Sequence, residues 1–214
     1  SVVELGCGFG GFAKYAAENY GVRVTGFTVS REQAEFAREF CKDLPVDIRL
    51  EDYRKAAGKY DRVISIGLME HVGYKNYRAY MKKAHELLKD TGIAFVHTIG
   101  SNVSRSTCNP WTSKYIFPNS VIPSIAQLGK AMEGLFVVED WHNFGEDYDK
   151  TLMAWYNNFS EAWPKLKSRY GERFYRMWTY YLLSCAGGFR SRYMQLWQIV
   201  MTKPGVSQPQ CRAI

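Results

Sequence analysis

The chain has 214 residues, a net charge of +7 and an aromatic content of 15%. That length suits one domain carrying an insertion rather than two domains, and its apolar runs are too short to span a bilayer, so any membrane contact is expected to be peripheral. The positive balance suits an anionic partner, nucleic acid or lipid headgroups, but no basic run of nucleic-acid type is present.

Val2–Leu5 opens the chain as a short apolar, β-branched run, the pattern of a buried strand. A chain that begins on its own first strand reads as cut from a longer one. The strand breaks into Gly6-Cys7-Gly8-Phe9-Gly10-Gly11, and a helix is expected over 11–19. A second strand is expected over 23–27, then Ser30 as the N-cap of a helix over 31–43. A third strand over 47–50 and a fourth over Tyr60–Ile66 precede a helix over 75–89 that closes at Gly92. A fifth strand follows over 93–98. Regularity lapses over 101–123, a Ser-, Asn- and Pro-rich stretch of the kind that forms lids and binding loops. A helix over 125–133, a strand over 135–141, two amphipathic helices over 149–192 parted near Gly171, and a strand over 195–202 complete the domain. A loose polar tail is expected from 204 onward. Alternating strands and helices predict an α/β domain around a mainly parallel, seven-stranded sheet, with a helical insertion before the last strand.

The glycines at 6, 8 and 10 let the backbone turn sharply and approach a ligand, and the next helix offers unpaired N–H groups. A plain strand-to-helix turn is the lesser alternative. A dinucleotide would need a carboxylate at the end of the second strand for its ribose, and Gly26-Phe27-Thr28 stands there instead. Glu4, two positions before the first glycine of Gly6-Cys7-Gly8, resembles the first motif of class I S-adenosylmethionine-dependent methyltransferases, a Rossmann-like fold. Without the ribose carboxylate, Thr28 and Gln33 are the expected polar partners, although Thr28 also suits helix capping. Asp52 and Tyr53, after the third strand, are placed to meet an adenine by hydrogen bonding and stacking, or to form a solvated turn. The expected cofactor set is thus Glu4, Gly6, Cys7, Gly8, Gly10, Thr28, Gln33, Asp52 and Tyr53. The five cysteines have neither metal nor disulfide spacing and are read as reduced thiols of a cytosolic protein.

A longer set of motifs appears in order: Met69-Glu70-His71-Val72-Gly73, His97-Thr98-Ile99-Gly100, Lys114-Tyr115-Ile116-Phe117-Pro118, Asp140-Trp141-His142-Asn143-Phe144-Gly145, Tyr148-Asp149, Arg173-Phe174, Tyr180-Tyr181-Leu182, Cys185-Ala186-Gly187 and Phe189-Arg190. Over about residues 2–202 the chain resembles bacterial cyclopropane-fatty-acyl-phospholipid synthases and, more distantly, mycolic acid cyclopropane synthases. The resemblance implies a class I methyltransferase catalytic domain over 1–203, with a helical lid over about 149–192 and a tail over 204–214. The family's N-terminal domain is absent from this chain. It further implies that a methylene derived from S-adenosylmethionine is placed on the cis double bond of an unsaturated acyl chain in a membrane phospholipid, with bound bicarbonate as the base. Glu70, His97, Tyr148 and the backbone of Ile99 match the family's bicarbonate pocket; one pocket cysteine of the family lies upstream of the glycine loop and is not Cys7.

Glu70 follows the fourth strand and His97 ends the fifth, so both fall at the carboxyl edge where ligands bind in open α/β sheets. Glu70 is expected to accept the bicarbonate O–H, with His97, the Tyr148 hydroxyl and the Ile99 N–H as donors. His71 and His142 are expected to be structural. Lys165, Lys167, Arg169, Arg173, Arg176, Arg190 and Arg192, set among aromatics, are expected to meet an anionic membrane surface on its cytoplasmic face. A homodimer is compatible with the resemblance. A related enzyme making a methyl-branched product, and a fragment that binds cofactor or lipid without turnover, remain alternatives. A nucleic-acid methyltransferase is disfavoured, because Gly67-Leu68-Met69-Glu70-His71 replaces the Asn/Asp-Pro-Pro-Tyr type of motif expected after the fourth strand.

Overall fold

β1 (Val2–Leu5) is buried along its whole length, as a central strand covered on both faces must be. In the computed structural model, which describes residues 1–212, it is followed by α1 (Gly11–Tyr20), β2 (Val24–Thr28), α2 (Arg31–Phe40), β3 (Val46–Leu50) and β4 (Tyr60–Ile66). Ser30 caps α2 as expected, its Oγ accepting the Gln33 N–H at 3.2 Å. Next come α3 (Met69–Val72), α4 (Tyr77–Leu87), β5 (Leu88–Ser101), α5 (Pro110–Tyr115) and α6 (Ile125–Met132). β6 (Val137–Asn143), α7 (Gly145–Arg190) and β7 (Met194–Thr202) complete the domain. The strands lie in the order β3-β2-β1-β4-β5-β7-β6. The first five pair in parallel, and β7 enters antiparallel between β5 and β6.

Several boundaries differ from the sequence reading for tertiary reasons. The fourth helix ends at Leu87 rather than at Gly92, because Leu88 already pairs with Tyr60 of β4. β5 therefore begins at Leu88 and passes through Gly92. β6 starts at Val137, two residues later than expected, in register with Thr202 of β7. The irregular segment contains α5, whose Asn109 cap accepts from the Trp111 and Thr112 N–H groups with Pro110 at the first turn. In the stretch after 204, Arg212 makes a paired contact with Asp140, and just before it Lys203 meets Asp90. The last two residues of the chain lie outside the described residues.

The main core fills the space between the sheet and α4 and α6, with Leu5, Phe27, Met69, Tyr80, Met81, Leu87 and Trp197 almost fully enclosed. Each such side chain is worth roughly 1.5–3 kcal/mol of burial. A second, smaller core joins α7 to the sheet through Leu152, Leu182, Ala186, Phe189 and Leu196. Gly100 sits where β5 passes the ring of Trp197, and a methyl group there would overlap that ring. Trp197 is almost fully buried and packs edge-on against Trp141. Gly100→Ala is therefore expected to destabilise the fold by about 3 kcal/mol or more. An unfolding free energy, from urea titration, that falls by less than a third of that would contradict the packing described.

Candidate functional site

The glycine loop leaves β1 through three residues that only glycine adopts comfortably, Gly6 (φ 83), Gly8 (φ 53) and Gly10 (φ 81). The Gly6 and Cys7 N–H groups both donate to the Phe27 carbonyl of β2, which folds the loop back over the sheet edge. Glu4 lies beneath the loop. It is 3% exposed, and its Oε2 has no hydrogen-bond partner among the described residues. Burial pushes its carboxyl up to about 8. Cys7 turns the other way: its side chain packs with Ala34, Ala37 and Ile48, and burial pushes its thiol up to about 12. Only its backbone therefore remains for a ligand at the loop.

At the end of β2, buried Thr28 donates its Oγ1 hydrogen to Gln33 Oε1 at 2.7 Å. That leaves the Gln33 amide NH2 without a partner among the described residues. Asp52 is already engaged, capping the turn at 53–55 and gripping Arg54 through both carboxylate oxygens. Tyr53 sets its ring edge-on against Tyr80, with centroids 5.5 Å apart. Thr28, Gln33, Asp52 and Tyr53 thus reach the same sheet edge as the glycine loop, with Asp52 and Tyr53 held by neighbours rather than free.

The second group of residues gathers where β4 and β5 end. Leu68 contacts Gly6 so closely that a Cβ at Gly6 would lie 3.1 Å from its Cδ1, which ties the glycine loop to α3. Glu70, on α3, is 8% exposed. Its Oε1 accepts the Ile99 N–H at 2.6 Å, while its Oε2 has no partner among the described residues. Burial pushes this carboxyl above its ordinary value, against the pull of the Ile99 hydrogen bond. The sequence reading had Glu70 and the Ile99 N–H as separate contacts to a ligand; here the N–H is committed to the carboxylate itself. The remaining, unpartnered oxygen is the one available for chemistry.

His97 lies two residues before Ile99 on β5, so the two side chains share one face of the strand. Burial lowers the pKa of His97 and favours its neutral form. Tyr148, on α7, packs with Ile99 against the same Leu152–Phe189 cluster. Its hydroxyl is pushed up first by burial and then by the charge of Glu70. Glu70, Ile99 and Tyr148 therefore meet at one corner, and His97 lies on the same face of β5 as Ile99.

The roof over this corner is aromatic. Gly171 (φ 72, ψ 167) breaks α7 into two arms, which fold back on each other through Phe159–Tyr175 stacking and the Asp149–Arg190 pair. The segment after β5 joins them through Trp111–Tyr180 and Phe117–Tyr181, and Phe117 also meets His71. His71 is thus a packing partner, as expected. Sequence reasoning missed the ties that hold this segment down. The Val121 N–H donates to the Glu70 carbonyl at 2.8 Å, and the buried Tyr77 hydroxyl donates to the Val121 carbonyl at 2.9 Å. Neither residue belongs to a motif that would have drawn attention.

Comparison with known proteins places this geometry. Residues 1–199 match the family model described as mycolic acid cyclopropane synthetase. The cyclopropane-fatty-acyl-phospholipid synthase of Escherichia coli (strain K12) is 52% identical over 202 residues, covering 94% of this chain and 53% of that protein. A probable fatty acid methyltransferase of Pseudomonas putida is 32% identical, covering 95% of this chain and 55% of that protein. The chain therefore spans about half the length of these relatives. Among solved structures, mycolic acid cyclopropane synthase CmaA1 with SAH and CTAB superposes with a TM-score of 0.86 at 26% identity, covering 94% of this chain and 77% of that one. The cyclopropane synthase MmaA2 from Mycobacterium tuberculosis shares the fold at the same TM-score, with 24% identity and the same coverage of both chains. The seven-stranded sheet is thus that of S-adenosylmethionine-dependent methyltransferases, and with the family model matching almost end to end, the chain belongs to the mycolic acid cyclopropane synthetase family.

Proposed function

We propose that residues 1–203 form the catalytic domain of an enzyme that adds a methylene, derived from S-adenosylmethionine, across the cis double bond of an unsaturated phospholipid acyl chain. The observation that carries this reading is the Glu70 carboxylate, buried, held at one oxygen by Ile99 N–H and unpartnered at the other, in a chain 52% identical to a cyclopropane-fatty-acyl-phospholipid synthase.

The residues fit both expected groups. The glycine loop presents bare backbone, Glu4 holds an unpartnered buried oxygen beneath it, and Gln33 offers amide hydrogens beside it. At the second corner Glu70 Oε2 is an acceptor for a bicarbonate O–H, and His97 and Tyr148 are donors for its oxygens. When bound, S-adenosylmethionine supplies an electrophilic methyl and bicarbonate supplies a base for the proton that must leave the new carbon. This chain's own residues orient that base and exclude water. Dryness matters because the alkene, once alkylated, is a carbocation that water would trap as an alcohol. The aromatic faces of the α7 arms suit such a cation.

The substrate would arrive from a membrane. Lys165, Lys167, Arg169, Arg173 and Arg176 are exposed on α7 beside exposed Tyr170 and Tyr180, a mixture that suits an anionic lipid surface. Among the described residues no helix is long and apolar enough to cross a membrane. Five unpaired thiols suit the cytoplasmic side.

Incubating the chain with S-adenosylmethionine, bicarbonate and vesicles of monounsaturated phospholipid, followed by mass spectrometry, tests the reading. The expected product gains one CH2 and takes up no hydrogen under conditions that reduce an alkene. A product that gains CH2 and still hydrogenates would instead favour a methyl-branching enzyme. No product from a chain that binds S-adenosylmethionine in calorimetry would instead favour a fragment that binds cofactor without turnover.

A further inference from the structure

We infer that Gln198 is a positioning residue that locks His97 in the tautomer carrying its proton on Nε2. His97 of β5 and Gln198 of β7 are register partners in the antiparallel pair, so their side chains emerge side by side on one face of the sheet. The Gln198 amide nitrogen lies 3.3 Å from His97 Nδ1. An amide NH2 has two hydrogens and no lone pair to offer, so at that contact it donates and Nδ1 accepts. Nδ1 is then unprotonated. Burial disfavours the doubly protonated imidazolium, and the single proton of the neutral ring is left on Nε2.

The arrangement has a functional consequence that rests on the proposed role of His97 as a donor to a bound anion. A neutral histidine can present either a proton or a lone pair at a given nitrogen, and an anion is repelled by the lone pair. A neighbour that only donates at Nδ1 makes Nε2–H the ring's one donor. It does this without adding a positive charge, so a base held at the corner is not weakened by a cation beside it. Gln198 is also the register partner of His142 on β6. No hydrogen bond joins those two among the described residues, and His142 lies against Phe144 at 3.9 Å between ring centroids. The amide therefore acts on one histidine of the row. Nothing in the motifs marks Gln198, which stands in the apolar strand Met194–Thr202.

Two-bond nitrogen–proton correlation spectra of the nitrogen-15-labelled chain, recorded above the His97 pKa and assigned with a His97→Gln variant, test this. The expected wild-type pattern has Nε2 protonated and Nδ1 bare. Gln198→Glu replaces the donor by an acceptor and is expected to move the proton to Nδ1; Gln198→Met removes the donor and is expected to give a mixture. A wild-type spectrum with Nδ1 protonated overturns the inference, as does a folded Gln198→Glu chain with an unchanged pattern. Because the wild-type spectrum decides by itself, a variant that fails to fold leaves the test intact. Bicarbonate is then titrated in. An Nε2–H resonance that shifts supports both readings, whereas the expected tautomer with no response to bicarbonate retains the inference and rejects the anion-donor role of His97.

Discussion

Glu70→Gln is expected to lower product formation by roughly 10²–10⁴-fold, the range for loss of a positioned proton-transfer group, while leaving the fold intact. The amide oxygen of glutamine can still accept the Ile99 N–H that now sits on Glu70 Oε1. At the second position the change is chemical rather than steric: an acceptor oxygen becomes an NH2 that only donates, and a bicarbonate O–H placed there would face hydrogen instead of a lone pair. Stability should not fall. The carboxyl of Glu70 is held above its ordinary value by burial, so at pH 8 a neutral amide removes a cost of ionisation. The two readouts separate the explanations. Full activity in the glutamine variant rejects the catalytic role, and a large drop in the urea midpoint at pH 8 would show that Glu70 acts as scaffold.

Glu4→Gln should abolish a pH dependence of stability that is built into the glycine loop. In the folded chain burial raises the Glu4 carboxyl from 4.5 to about 8. The folded state therefore holds a proton that the unfolded chain has already released. For a raised pKa the contribution is fully present below the unfolded value and is lost as pH climbs toward the folded one. The window runs from about 4.5 to about 8, and a shift of that size corresponds to a ceiling of roughly 5 kcal/mol. Wild-type stability is expected to decline through this window, and the variant to decline less by several kcal/mol. Glu70 shifts in the same direction, so the difference between the two chains, measured by urea unfolding at several pH values, is the quantity to compare. Parallel curves would contradict the buried, unpartnered state of Glu4.

Local rules were enough for much of this domain. Val2–Leu5 and Tyr60–Ile66 were readable to the residue because each holds buried apolar residues, Val2, Val3 and Leu5 in one and Val63 and Ile64 in the other, bounded by turn signals. Ser30 announced its helix because a side-chain oxygen at that position satisfies an end N–H. Gly171 announced the break in α7 because its φ of 72 is one that other residues resist. Where the reading slipped, a distant partner had overruled the local signal. Gly92 resembled a helix stop, yet pairing of Leu88 with Tyr60 had already turned the chain into a strand. The Asn109-Pro110 start of α5 was in principle legible, but it lay in a segment whose other residues carry no periodicity.

The site divides along the same line. The glycine loop after β1 and the place of Glu70 after β4 follow from sequence, because a loop after a parallel strand opens at the carboxyl edge; His97, expected to end the fifth strand, instead lies inside β5, which runs on to Ser101 beside β7. The antiparallel insertion of β7 beside β5 does not follow, since strand order depends on contacts between segments about 100 residues apart. That insertion puts Gln198 against His97. Likewise the Ile99 N–H meets Glu70, Cys7 turns its thiol into the core, and Val121 closes on the Glu70 carbonyl only once the chain is packed. Residue type and spacing by themselves were enough for the family and the fold class. The tertiary structure decided which oxygen of Glu70 is left open and which nitrogen of His97 holds the proton, because a hydrogen bond depends on atoms a few ångströms apart that the sequence places far from one another.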